Sequence, residues 1–340
     1  MTQSILDVVR LGKSFEVKSK KSLWAKPTRV QVLHDVSFRL LEGETLSIVG
    51  ESGCGKTTLG RCIVRGMPAS SGEVNYHAAD GENVDFLRLK GASAKKYRKD
   101  IQMIFQDPYS SLSPRMSVFD IIVEPLIANF KLKKSEIEEK VTEIAGQTGL
   151  NVSYLQRYPH AFSGGQRQRI AIARALVMQP RLIVCDEAVS ALDVSIQAQI
   201  INLLKDLQEQ YRITYIFISH DLSIVQNISD RVAVMHLGRI VELASTESMF
   251  SRPRHPYTEA LMSAVPQPDP ERKKIRIILE GEVPNPANPP SGCHFHPRCA
   301  YRTEKCAREL PELREVGDGH FAACHYAEQL NLRGVRHEEA

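Results

Sequence analysis

Short apolar runs recur along the chain at Leu46–Val49, Ile101–Phe105, Arg181–Cys185, Thr214–Ser219 and Arg231–Met235. Each is too short for a core helix and reads as a strand buried on both faces. Ile5–Leu11 and Val30–Leu41 alternate or are β-branched and predict longer strands. Helical spacing takes over between them. Thr58–Val64 predicts one helix, and Ser117 to about Gln179 is helical in pattern. Within that block, Ser135 precedes an acidic first turn, with Ile137, Val141, Ile144 and Ala145 on one face; Gly165–Met178 predicts a second helix. Val194–Tyr211 carries Ile200, Leu203, Leu204 and Leu207 on a single stripe. Strands separated by helices imply a mostly parallel α/β core, and the helical block predicts a subdomain of its own. Beyond about Arg252 the pattern breaks: the tract Val283-Pro284-Asn285-Pro286-Ala287-Asn288-Pro289-Pro290 fits neither helix nor central strand. A linker and a small C-terminal appendage are expected there.

Composition narrows the class only slightly. With 340 residues, 42% hydrophobic and 25% charged, the chain is ordinary for a globular protein of one large domain or two. A net charge of +4 does not argue for nucleic acid. No apolar run approaches the ~20 residues that span a bilayer. Met1-Thr2-Gln3-Ser4 lacks the basic start of a secretory signal, so the chain is expected on the cytosolic side, reaching a membrane only through a partner. The basic run Lys18–Lys26, with the only tryptophan, Trp24, reads as a solvated loop or a contact to a partner or headgroups. Seven cysteines in such a compartment suit metal ligation or packing better than disulfides.

The chemistry begins directly after the first buried strand. Gly50-Glu51-Ser52-Gly53-Cys54-Gly55-Lys56-Thr57 fits G-x-x-x-x-G-K-[ST], with Thr58 opening a helix. The glycines permit backbone geometries that let N–H groups converge on phosphate at the positive end of that helix. Lys56 reaches terminal phosphates in such a loop and the Thr57 hydroxyl holds Mg²⁺. A bare glycine turn would not need the Lys-Thr pair. Leu182-Ile183-Val184-Cys185-Asp186-Glu187 is an apolar strand ending in two carboxylates, where phosphate-loop hydrolases manage Mg²⁺ (Asp186) and attacking water (Glu187). A second anion-type site, Ser163-Gly164-Gly165-Gln166, opens a later helix.

One nucleotide fills one phosphate loop, and the second site is where a family resemblance enters. Ser163–Gln166 resembles the signature motif of ATP-binding cassette (ABC) ATPases. Gln106 in Phe105-Gln106-Asp107-Pro108 resembles the glutamine loop, which touches Mg²⁺ and links to the transport partner. Ser190-Ala191-Leu192-Asp193 resembles the D-loop, His220 in Ile218-Ser219-His220-Asp221 the switch histidine, and Phe15 the aromatic that stacks on adenine. The resemblance implies that ATP closes two cassettes, each signature meeting the other's γ-phosphate, while Lys56, Gln106, Glu187 and His220 serve hydrolysis. Ala188 stands where the family commonly has proline, a residue that would hold Glu187 extended.

Asp107–Arg115, Arg254-His255-Pro256-Tyr257-Thr258 and the proline tract narrow the resemblance to ATPase subunits of bacterial dipeptide and oligopeptide importers, nearest the second, "F-type" subunit. That group also takes up nickel, opines and some oligosaccharides. The implied fold is a phosphate-loop parallel core with an antiparallel β subdomain and a helical subdomain at about 107–180, the nucleotide-binding domain spanning 1–252. Residues 253–340 form a Cys-rich extension. Implied partners are a second, distinct ATPase subunit, two integral membrane permeases and a periplasmic or lipid-anchored solute-binding protein, with no nucleic acid, at the cytoplasmic face of the membrane. Cys293-x5-Cys299-x6-Cys306-x17-Cys324 offers four thiols suited to tetrahedral zinc or an iron–sulfur cluster. Of these the resemblance implies [4Fe–4S]. The rival readings are a soluble ABC ATPase acting on DNA or ribosomes, and a small-molecule kinase. The first lacks heptads or a second phosphate loop here, and the second has no use for Ser163–Gln166 or His220.

Overall fold

A computed structural model describes residues 3–17, 28–265, 277–279, 281 and 284–335. The basic run Lys18–Lys26 lies outside the described residues, as does part of the proline-rich region.

The phosphate-loop strand, Thr45–Val49, is buried at every position and lies inside an eight-stranded sheet. It pairs in parallel with Arg231–His236 on one side and Thr214–Ile218 on the other. Leu182–Asp186 and then Ile101–Ile104 continue the sheet in parallel. All five were legible as apolar runs because one face is covered by the helical block and the other by the helix Lys56–Ile63 and a second sheet, so no solvent-facing alternation is possible. Parallel strands discharge their carboxyl ends on one edge, which is where the phosphate loop, Asp186–Glu187 and His220 emerge.

A separate four-stranded antiparallel sheet is built from Thr28–Leu41, Ser4–Val17, Ser71–His77 and Asn83–Asp85. It packs its apolar side chains against the underside of the core through Leu6, Leu33, Phe38, Leu46 and Leu59 among others. The helical block consists of Pro108–Ser111, Val118–Asn129, Lys134–Gln147 and Gly164–Leu176. It shares one hydrophobic cluster with Val194–Tyr211 and the strand 182–186. The chain enters Val118–Asn129 through a capping box: the Asp120 amide donates to Ser117 Oγ, and the Ser117 amide to the Asp120 carboxylate.

The C-terminal region does not stand apart as an appendage. Its hairpin, Arg314–Gly317 and His320–Ala322, adds antiparallel to Arg239–Ser245 and so extends the central sheet. Buried Glu242 ties the junction. Its carboxylate accepts from the amides of Arg254 (2.6 Å) and His255 (2.9 Å) and bonds the His320 ring at 2.7 Å. Three partners for one buried carboxylate make this a satisfied, specifying contact.

Candidate active site

The loop between strand and helix adopts the backbone its sequence demands. Gly50, Gly53 and Gly55 have φ of 150°, 81° and 107°. A Cβ at Gly50 would lie 2.2 Å from the Met235 carbonyl oxygen, so both conformation and space exclude a side chain there. Lys56, at the first turn of Lys56–Ile63, is folded back and donates to the carbonyls of Gly50 (2.7 Å) and Glu51 (3.1 Å). Ser52 and Gly53 are exposed, Cys54 and Gly55 buried, and Thr57 and Thr58 half-buried.

Asp186 is fully buried at the end of its strand. One carboxylate oxygen accepts from Thr57 Oγ1 at 2.8 Å; the other is buried and has no hydrogen-bond partner. Desolvation pushes its pKa up, against the Thr57 hydrogen bond and the nearby Arg61 and Lys56 charges. A buried carboxylate oxygen left open beside a hydroxyl is the donor set a hard cation takes, so the residues present fit Mg²⁺ held by Thr57 and Asp186.

Glu187 follows with a left-handed backbone, φ 48°, rather than the extended form a following proline would enforce. Its amide donates to the Ile218 carbonyl at 3.0 Å. Its carboxylate accepts from Gln106 Nε2 at 2.8 Å and lies 3.5 Å from His220 Nδ1. Three residues from three strand ends therefore meet, as their order after the loop anticipated. Phe15 sits near the end of the Ser4–Val17 strand, half-buried, with the Lys13 ammonium 4.8 Å from its ring centre.

The signature residues are elsewhere. Ser163 caps the helix Gly164–Leu176 in a reciprocal box with Gln166, its amide donating to Gln166 Oε1 at 3.0 Å. Ser163 and Gln166 are exposed, and a Cβ on Gly165 would lie 2.5 Å from Ile196. Asp193, at the start of Val194–Tyr211, is also exposed. Among the described residues no hydrogen bond joins Ser163–Gln166 to the phosphate loop.

The cysteine expectation is corrected. Cys293, Cys299, Cys306 and Cys324 are all free and line one cavity of about 20 Å³, with room for little more than a water. Yet among the described residues no three Cys, His, Asp or Glu side chains are grouped so as to hold a metal ion. Burial also pushes the thiols of Cys299 and Cys324 up to about 12 and 11, disfavouring the thiolate a metal or cluster needs. Neither the [4Fe–4S] assignment nor zinc stands. Packing holds the tail instead: Phe295, with Cys293 and Cys299 against it, belongs to a cluster with Tyr257, Met249 and Val234.

Sequence reasoning missed one contact at the loop itself. Arg298, 6% exposed at its side chain, grips the Glu51 carboxylate with two bonds of 2.7 and 2.9 Å. Tyr257 Oη accepts from the Glu51 amide at 2.8 Å. Residues 247 apart carry no local signal of such pairing.

Comparison with known proteins agrees with this geometry. The ABC transporter family matches residues 33–190, and the oligopeptide/dipeptide transporter C-terminal region matches 241–306. The oligopeptide transport ATP-binding protein OppF of Haemophilus influenzae is 51% identical over 94% of this chain and 96% of its own length. The oligopeptide transport ATP-binding protein AppF of Bacillus subtilis is 48% identical over 95% and 97%. Among solved structures, the dimeric post-hydrolysis state of the cassette MJ0796 bound to ADP and Pi superposes with a TM-score of 0.60 at 27% identity, covering 71% of this chain and 98% of that one.

Proposed function

The chain belongs to the oligopeptide and dipeptide transport ATP-binding proteins of the ABC transporter family, and on that premise we propose how its site works. It is an ATP-hydrolysing subunit that energises import of di- or oligopeptides, at the cytoplasmic face of the bacterial membrane. No helix among the described residues is long and apolar enough to cross that membrane itself. The observation that carries the mechanism is the junction of three strand ends. There Thr57 and the half-open Asp186 carboxylate lie beside Glu187, which is bracketed by Gln106 and His220.

ATP enters with its adenine toward Phe15 and its phosphates in the cradle of Gly50–Thr58. Lys56 exchanges its two carbonyl partners for the terminal phosphates, a trade of neutral acceptors for charged ones. Thr57, Asp186 and Gln106 would hold Mg²⁺, which supplies positive charge to the phosphates during transfer. Glu187 positions and polarises the attacking water, and His220, on the exposed side of that carboxylate, meets the developing charge on the γ-phosphoryl group.

The cassette works as a pair. Ser163–Gln166 and Asp193 face outward, which suits them to a nucleotide held by another cassette. The partner cassette we infer is a distinct paralogue. Membrane permeases and a solute-binding protein complete the importer, the coupling running through Gln106 and the helical block at about 107–180. We take residues 1–252 as the nucleotide-binding domain and 253–340 as its extension.

Replacing the wild-type chain by Lys56→Ala in cells tests the whole reading. Uptake of labelled di- and tripeptides is expected to collapse. Undiminished peptide uptake, with no second ATPase substituting, would overturn the cargo; loss of a different solute's uptake would keep the engine and change the freight.

A further inference from the structure

Glu51 is an anomaly in a loop that gathers phosphate. It places a carboxylate one residue into the cradle, and its own carbonyl accepts from Lys56 Nζ at 3.1 Å, so a net charge on Glu51 lies close to where the triphosphate must sit. The chain answers from its far end. The short turn His296–Arg298 delivers Arg298, almost wholly buried, as a two-bond partner that holds Glu51 well into its ionised range.

That turn is not free to drift. Phe295 packs edge-on or tilted against His236, Tyr257 and His255, with ring centres 5.4, 5.3 and 5.7 Å apart. Tyr257 in turn accepts the Glu51 amide hydrogen, so side chain and backbone of the same loop residue are both fixed by the C-terminal region. Pro284, Asn285 and Pro286 line a hollow of about 200 Å³ with Glu51–Cys54.

We propose that Arg298 is a positioning residue for the nucleotide site: it cancels the Glu51 charge and pins the phosphate loop open to a triphosphate. The proposal rests on the ATP-site reading above. It makes the C-terminal region a working part of nucleotide binding rather than a passive extension.

Equilibrium binding of Mg-ATP to the purified full chain tests it. Arg298→Gln leaves an unpaired carboxylate beside the phosphates and is expected to weaken ATP about tenfold, the effect of one charge acting over several ångströms at protein-surface dielectric. The loss should shrink at high salt. Removing the offending charge as well, in Arg298→Gln/Glu51→Gln, should restore most of the affinity. A purely structural bridge predicts the opposite, a double variant as weak as the single one, and that result overturns the proposal. So does an Arg298→Gln chain that binds ATP like wild type. If the wild-type chain itself fails to bind ATP, the fault lies with the nucleotide reading instead. Should Arg298→Gln not fold, Arg298→Lys retains the charge but not the paired geometry. It is expected to bind two- to threefold more weakly, roughly, with Glu51→Gln abolishing the difference, and unchanged affinity in Arg298→Lys counts against the two-bond pairing.

Discussion

At the scale of single residues, the site concentrates its strain and its unmet bonding in neighbours. Glu187 holds a left-handed backbone that costs a non-glycine residue about 1–2 kcal/mol. The Ile218 carbonyl, and the Ser190 amide and hydroxyl donating to the Glu187 carbonyl, keep it there. The return is placement: the carboxylate stands between Gln106 and His220, while adjacent Asp186 leaves one oxygen open. Neutralising Glu187 to glutamine preserves shape and removes the proton acceptor. Turnover by Glu187→Gln is expected to fall by about a hundredfold or more, the usual worth of a positioned general base. ATP affinity should change by less than about twofold, because the phosphate cradle is untouched. Phosphate release and nucleotide binding measured on the same sample decide it: near-normal turnover would remove Glu187 from the role.

Elements explain why the C-terminal region holds without a metal. The helix Pro256–Ser263 starts on His255, whose Nδ1 accepts from the Tyr257 amide at 3.1 Å. Acceptance needs that nitrogen unprotonated, and burial drives His255 down to about 3. A histidine whose folded pKa is depressed contributes stability that is complete above about 6.5 and is lost as pH falls from there toward the folded value. At pH 5 the loss is of order 2 kcal/mol for this residue, from roughly 1.5 units at 1.36 kcal/mol each. Around it lie the side chain of Glu242, which accepts from its amide, and His236, whose own pKa, pushed down to about 4 by burial, adds loss in the same window. Asparagine keeps the capping acceptor without titrating, so His255→Asn should flatten the fall in melting temperature between pH 7.5 and 5. An unchanged slope would place the acid sensitivity elsewhere.

The same elements show what was legible in the sequence. Phosphate loop, carboxylate strand and the helix Val194–Tyr211 were plain because each is local: a motif, an apolar run or a 3.6-residue stripe. Ser71–His77 and Arg239–Ser245 escaped because their strand character comes from partners far along the chain. The hairpin 314–322 looked like part of an appendage for the same reason. The four cysteines misled differently: their number and the family resemblance suggested a metal set, and only packing shows how they are disposed.

At the scale of the whole molecule, the residues that the proposed pairing uses lie on the surface, apart from the phosphate loop. The nucleotide side presents Ser52, Gly53 and His220 to solvent, and the signature presents Ser163 and Gln166, with Asp193 and 81%-exposed Val194 beyond. In the pairing proposed above ATP is the adhesive, its charge satisfying the loop of one cassette and the signature helix N-terminus of the other. Blocking hydrolysis should therefore trap the pair. With Mg-ATP, Glu187→Gln is expected to roughly double its mass in solution, if like chains can pair. If the distinct paralogue is required, doubling appears only when the second ATP-binding subunit of the same importer is added, in one-to-one ratio. Light scattering with and without ATP separates these, and ADP in place of ATP should release the pair. A chain that stays single with ATP in both mixtures would break the link between signature and nucleotide, and with it the two-cassette mechanism.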